Sequence, residues 1–510
     1  MTSPLFLTTL TAAIVLVIRK LWTNYVFNKE YKLPPRVEGG LPFFGNTFQM
    51  PAYHQGPWAK DMAKKYGEMF TCQVGSNTWV FLNSSRVVND LLEKRSAIYS
   101  SRPPFPMAST IMSDNCRIVI QPYGEKWRSI RKIMHSILNK QNAPTFAPFQ
   151  DLESKHLLHD YLHNPDQWFV ANQRFANSVI MSVVFGKRLG LGDPSTTELF
   201  ETSGEFISAL QPGANLVDAF YFLDRIPKPL QWWRRRGQRI FAKTVNVYQR
   251  EVNDVVRRMK EGVARNCFAT SFLRNPETEN ISENQKLFAL GSLMEAGSDT
   301  SRMTISQIIA AAATDPRWVT KARDELDSVC GHNAERLPSF DDRERLPYTS
   351  AVTKEGFRWR PFAEIGMPHL LIKDDEYEGY KFPAGTLFTW NSWNISLSPE
   401  EYDDPERFWP ERFLKNMKDL SDPLKGHWSF GPGRRVCAGY NVGDANVWIA
   451  VSRLIFCFNF EQIPGQNINT FNSNWSEYRT APFPVKITVR SPAHAALIER
   501  EGKKAIHVRY

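Results

Sequence analysis

The sequence predicts a mainly α protein with a minor antiparallel β portion, built around one long central helix. Two stretches make that prediction. Glu283 to Thr314 is rich in Leu, Ala, Ile and Met, holds no proline, and stops before Asp315-Pro316. It is apolar on most faces, as a helix running through a core must be. Met367 to Asn391 alternates apolar and polar residues, with turns at Glu378-Gly379-Tyr380 and Phe382 to Thr386, the period of paired antiparallel strands.

In chain order, Met1 to Ile18 carries no side-chain charge and is followed by Arg19 and Lys20. Eighteen residues rise about 27 Å as a helix, close to a ~30 Å hydrocarbon core. The positive charges follow the apolar run, which favours a retained anchor with the rest of the chain cytosolic over a cleaved leader. Residues 1–22 are therefore expected to be an N-terminal membrane anchor, residues 23–42 a linker and proline-rich hinge, and residues 43–510 one folded domain. The sequons at Asn83, Asn280, Asn394 and Asn474 would then stay unused, and Ala219 to Leu223 is a second candidate for dipping into the membrane. Leu346 to Pro361 reads as a shorter helix with Glu355 and Arg358 three apart on one face. Asn446 to Phe460 reads as a further buried helix.

Halfway along the central helix lies Ala296 to Ser301, "AGSDTS". Gly, Asp, Ser and Thr weaken a helix, so this is either a local kink whose side chains bond back to carbonyls or a polar pocket facing a ligand. The stretch Phe430 to Gly439, "FGPGRRVCAG", surrounds Cys437 with glycines, a proline and two arginines. Free cysteine is usually a small buried hydrophobe, but that role needs no glycines. Gly431, Gly433 and Gly439 permit positive φ and close approach, and Arg434 and Arg435 would favour a thiolate, the form that binds metal.

Composition limits the alternatives. The chain has 510 residues, 42% hydrophobic, with a net charge of +10 and six scattered cysteines. No paired-cysteine framework or zinc-type spacing is present, which fits a reducing compartment. The positive charge suits an anionic membrane or an acidic protein; there is no sustained basic tract or nucleic-acid motif, so no nucleic-acid partner is expected. The densest basic cluster, Trp232 to Arg239, reads equally as a solvated helix face.

Together these motifs resemble the cytochrome P-450 family of haem-thiolate monooxygenases, from the anchor to the C-terminus. The family's cysteine loop is met by Phe430, Gly433, Arg435, Cys437 and Gly439; its E-x-x-R helix by Glu355 and Arg358; its later arginine by Arg412; its A-G-x-D-T motif by Ala296, Gly297, Asp299 and Thr300; and its W-x-x-x-R pair by Trp127 and Arg131. The resemblance implies that fold, with the central helix lying over haem b. Cys437 would be the axial metal ligand, Arg435 would pair with a haem propionate beside Trp127, Arg131 and His369, and Asp299 and Thr300 would deliver protons for O–O cleavage. Glu355, Arg358 and Arg412 would form a structural ion network. Ser396 and Asp444 depart from the residues common in the family. The resemblance also implies an enzyme of the endoplasmic reticulum membrane, with an NADPH–cytochrome P-450 reductase as partner and an apolar small-molecule substrate. The C-terminal stretch is similar to filamentous-fungal members that tailor secondary metabolites. Phe105, Met107, Ile111, Met112, Phe362 and Ile365 are candidate pocket residues that could equally be core. The alternatives are a haem-thiolate isomerase or dehydratase working without a reductase, and a non-enzymatic haem sensor or electron carrier.

Overall fold

A computed structural model describes residues 29–508. The expected anchor at residues 1–22 lies outside them, as does the start of the hinge. Among the described residues no helix is long and apolar enough to cross a membrane.

The central helix spans Glu283–Thr314, the bounds the sequence predicts. Ser282 starts it with a reciprocal cap: its hydroxyl accepts from Gln285 N at 3.3 Å while the Gln285 side chain accepts from Ser282 N. It packs against the helices Trp168–Phe185, Arg234–Lys260, Pro347–Trp359 and Tyr440–Cys457, and every residue from Ser301 to Ala313 is buried. The helix stays unbroken through Ala296 to Ser301. Gly297 is there for packing, since a Cβ at that position would lie 2.5 Å from the Ile180 side chain.

The β portion is small. Strands β1 (Met69–Val74), β2 (Asn77–Leu82), β3 (His369–Leu370) and β6 (Leu387–Trp390) form one sheet in the order β1-β2-β6-β3. β4 (Asp375–Tyr377) pairs with β5 (Tyr380–Phe382) through Glu378 and Gly379, whose φ angles of 50° and 76° suit a tight hairpin turn. β7 (Phe458–Glu461) pairs with β8 (Lys486–Val489). Among these named strands the pairings are antiparallel except β2 with β6, a parallel pair that the long connection between its strands permits. The helix expected over Asn446 to Phe460 starts earlier and ends at Cys457; Phe458 to Phe460 are drawn into β7 by pairing with β8.

The segment carrying Phe105, Met107, Ile111 and Met112 packs with Phe206, Ala209, Val217 and Trp233 in one buried apolar cluster. Phe362 and Ile365 belong to other clusters. In the basic stretch Trp232 to Arg239, Trp233 and Gly237 point inward, whereas Arg235, Arg236 and Arg239 form an exposed face.

Candidate functional site

Phe430 to Gly439 is a tightly bonded loop. Cys437 N donates to Phe430 O at 2.8 Å and Gly431 N to Trp428 O at 2.9 Å. Gly433 has φ 63°, donates its N–H to Glu93 Oε1 at 2.7 Å, and would drive a Cβ to 2.1 Å from Leu92 O. No other residue type fits there. Gly439 precedes the helix Tyr440–Cys457, and its N–H is turned to the Cys437 sulfur.

Of the six cysteines, all free, Cys437 is the one whose surface is accessible. It is nevertheless set deep within protein mass, and that burial pushes its thiol above the usual range, against the Gly439 N–H and the charge of Arg131. The cation acting on the sulfur is thus Arg131, not the Arg434 and Arg435 that adjacency suggests. Arg434 is exposed and donates to Tyr123 Oη at 2.6 Å. A thiol in this setting becomes a thiolate when a metal ion supplies the positive charge.

Arg435 turns inward. It donates to Ser100 O and Gln121 O, each at 2.7 Å, and its guanidinium lies 4.3 Å from the Trp127 ring centre. Arg131 reaches Val436 O and lies 5.8 Å from the same ring. His369 Nδ1 donates to Tyr99 O at 2.7 Å. Burial and the charges of Arg102 and Arg435 hold its imidazole well below the usual range, hence neutral. Arg102, which no motif singled out, completes the group by donating to Val119 O at 2.9 Å and Pro368 O at 2.7 Å. Burial and the guanidiniums of Arg102 and Arg131 push Arg435 down to about 8. Burial alone pushes Arg102 down to about 9.

These three guanidiniums have carbonyl and ring partners but pair with no carboxylate among the described residues. Arg131 Nε and His369 Nε2 are buried without any hydrogen bond. Buried positive charge without a counter-charge is costly. A planar dianionic group with an iron to offer the sulfur is what this donor set lacks, so the residues present fit a haem with its propionates.

On the central helix, Thr300 returns its hydroxyl to Ala296 O at 3.0 Å and Ser298 to Glu295 O at 3.1 Å. Ala296 is exposed although it lies on a largely buried helix. Asp299 faces Arg302, which donates from Nε at 2.7 Å. Burial raises the Asp299 carboxyl while the Arg302 charge lowers it, with burial prevailing. Arg302, also unanticipated from the sequence, reaches on to Glu477 O at 2.9 Å, so it ties the motif to the loop at residues 475–477. Its only signal in the sequence is a cation in an apolar helix.

Glu355 and Arg358 are both wholly buried and bonded twice, at 2.7 Å each. Arg358 also donates to Ser396 O at 2.6 Å and Pro405 O at 2.8 Å, and Arg412 approaches Glu355 at 3.2 Å. Ser396 thus serves through its carbonyl, and Asp444 pairs with Arg343 at 2.6 Å. Ser429 Oγ donates to Phe357 O at 2.6 Å, linking this network's helix to the approach of the cysteine loop.

A family model described as cytochrome P-450 matches residues 34–489. The chain is 33% identical to the cytochrome P-450 monooxygenase verL of Clonostachys rogersoniana, with 96% of this chain and 93% of that one covered. It is 30% identical to fogE of Aspergillus ruber, covering 98% and 95%, and 31% identical to patI of Aspergillus clavatus, covering 94% of each. A zebra fish cytochrome P-450 solved with abiraterone superposes with a TM-score of 0.67 at 21% identity, over 86% of this chain and 100% of that one. That structural likeness speaks for the fold alone.

Proposed function

The chain belongs to the cytochrome P-450 family and is a haem-thiolate monooxygenase, and on that premise we propose that it oxidises an apolar small molecule in fungal secondary metabolism, with electrons from NADPH delivered by a separate reductase at the endoplasmic reticulum membrane. The observation that carries this reading is an accessible Cys437 at the centre of a rigid loop, beside the guanidiniums of Arg102, Arg131 and Arg435, which pair with no carboxylate among the described residues. Bound here, haem b would supply the iron chemistry for activating O2 and inserting one oxygen atom into the substrate.

The chain's own residues divide the remaining work. Cys437 Sγ is the metal ligand, with the Gly439 N–H moderating its charge. Phe430 and Gly433 hold the loop's shape. Arg102, Arg131 and Arg435 would neutralise the propionates, and Trp127 and His369 would line the place where these groups lie. The second oxygen atom of O2 leaves as water, which requires protons in a site that excludes bulk solvent. Thr300 Oγ1 is the hydroxyl that passes a proton to the dioxygen substrate, and Asp299 resupplies it, its raised carboxyl being better able to carry a proton than an exposed one. Retention of this acid–alcohol pair argues against the isomerase reading.

Membrane attachment is supported by the apolar run at residues 1–18 and by the exposed aromatic and aliphatic side chains of Phe43, Phe48, Phe222, Leu230 and Trp232. Phe44 and Phe220, 5.6 Å apart, bring the segments of Phe48 and Phe222 together. For the reductase, exposed Arg128 and Arg434 flank Tyr123 beside the cysteine loop, a positive surface suited to an acidic partner. The test uses metabolites from a host lacking the gene. Incubated with the purified enzyme, reductase, NADPH and 18O2, the accumulated precursor should gain one 18O atom. Conversion without NADPH or reductase would contradict the proposal.

A further inference from the structure

We propose that His159, His163 and Glu499 form a zinc site that staples the C-terminal helix to the body of the protein. His159 and His163 stand four apart on the helix Ala143–His163, hence on one face, and Glu499 comes from the helix Pro492–His507 packed across it. One donor atom from each residue lies within 4.8 Å of the other two. Tetrahedral zinc with nitrogen and oxygen ligands needs donors about 3.4 Å apart, within reach of small side-chain rotations.

The cluster is more than a surface ion pair. His163 Nε2 meets Glu499 Oε1 at 2.8 Å, which accounts for those two residues. His159 is not accounted for: its ring centre lies 4.2 Å from that of His163, and it makes no hydrogen bond among the described residues. It is held there by design of the backbone, because Gly502 faces it and a Cβ on Gly502 would lie 2.9 Å from His159 Cβ. His156, one turn earlier, is excluded. It faces Asp160 at 3.4 Å and Arg188 at 3.2 Å. Two imidazoles and a carboxylate, with one position open to water, suit zinc over calcium or magnesium, which prefer oxygen donors.

The site's place gives it a use. The helix bearing the histidines also carries Gln150, which donates to Val442 O at 2.9 Å, and Asp151, which pairs with Arg453 at 2.5 Å. Both partners lie on the helix that follows Cys437. A metal here braces the scaffold behind the cysteine loop without touching the reaction.

The test is calorimetric titration of zinc chloride into the tag-free, chelator-treated holoenzyme, with the haem in place so that Cys437 does not compete. One zinc per chain should bind, and saturation should raise Tm by about 3 °C. His163→Ala and Glu499→Gln should each weaken binding at least tenfold and abolish the Tm rise, whereas His332→Ala, at an exposed histidine elsewhere, should not. Glu499→Gln keeps a hydrogen-bond acceptor for His163, so its fold is secure. Absence of saturable binding, or equal affinity in all three variants, overturns the site.

Discussion

Thr300 shows how far a single residue's role can be read from its bonds. Its hydroxyl, half-buried, spends its proton on Ala296 O at 3.0 Å, a bond of little structural worth on a helix already fixed by packing. Replacing it with alanine should leave Tm and haem content nearly unchanged. Loss of a positioned proton donor slows a proton-transfer step by about 10²–10⁴-fold, while electron input is untouched. Product formed per NADPH should therefore fall in Thr300→Ala and hydrogen peroxide should rise; coupling at the parental level would reduce Thr300 to a helix residue. The cysteine loop was legible because its spacing needs glycines at fixed places, and Gly433 pressed against Leu92 O shows why. Arg102 was not legible. It sits in an ordinary run before two prolines, and only the fold brings it beside Arg435 and His369. The Asp299 partner, Arg302, was missed because its contacts lie with a loop more than 170 residues away.

At the scale of elements, Pro347–Trp359 matters through one carboxylate. Glu355 holds Arg358 and Arg412 and also accepts from Trp409 N at 2.7 Å, so it fastens that helix to residues 403–412. Removing it strands two buried guanidiniums, at a cost of about 3–5 kcal/mol. Glu355→Ala should yield little haem-loaded protein with a lowered Tm; normal haem content and Tm would show that the network is dispensable. From the sequence alone the pair could have been an exposed i, i+3 bridge, because pattern says nothing of burial. A second element contact was invisible in sequence. Asp218, in the turn of helix Leu216–Ala219, accepts from Met107 N at 2.8 Å and latches the apolar segment 106–111. Burial pushes its carboxyl up to about 7. Between about pH 4 and 7 the folded state then holds a proton that the unfolded state has lost, so Asp218 makes stability fall as pH rises. Asp218→Asn keeps the acceptor and removes that titration. The Tm difference, variant minus parent, should grow from pH 4 to 7 and level off above; a flat difference would contradict the latch's titration. The bounds of the central helix were legible because its cap and its terminating Asp-Pro are local. The switch from helix to β7 after Cys457 was not, since it depends on β8 thirty residues on.

The whole molecule sets the six cysteines against one another. Cys72, Cys116, Cys267, Cys330 and Cys457 are buried, and burial pushes the thiols of Cys72, Cys116, Cys330 and Cys457 upward; two of the guanidiniums acting on Cys457, those of Arg453 and Arg490, already pair with Asp151 and Asp327. Cys437 alone is accessible, in a loop joined through Arg131 and Arg435 to the groups that lack a counter-charge. The mainly α architecture and the order of motifs were legible because each motif is short and local. The parallel β2–β6 pairing was not, because it is a property of the chain's long return to its own N-terminal hairpin. All of this converges on one sulfur binding one iron. The direct measurement is the carbon monoxide difference spectrum of the dithionite-reduced protein, parent against Cys437→Ser. The account predicts the red-shifted Soret band of thiolate-ligated haem in the parent and its loss in the variant. A Cys437→Ser protein that binds haem and retains that band would contradict it.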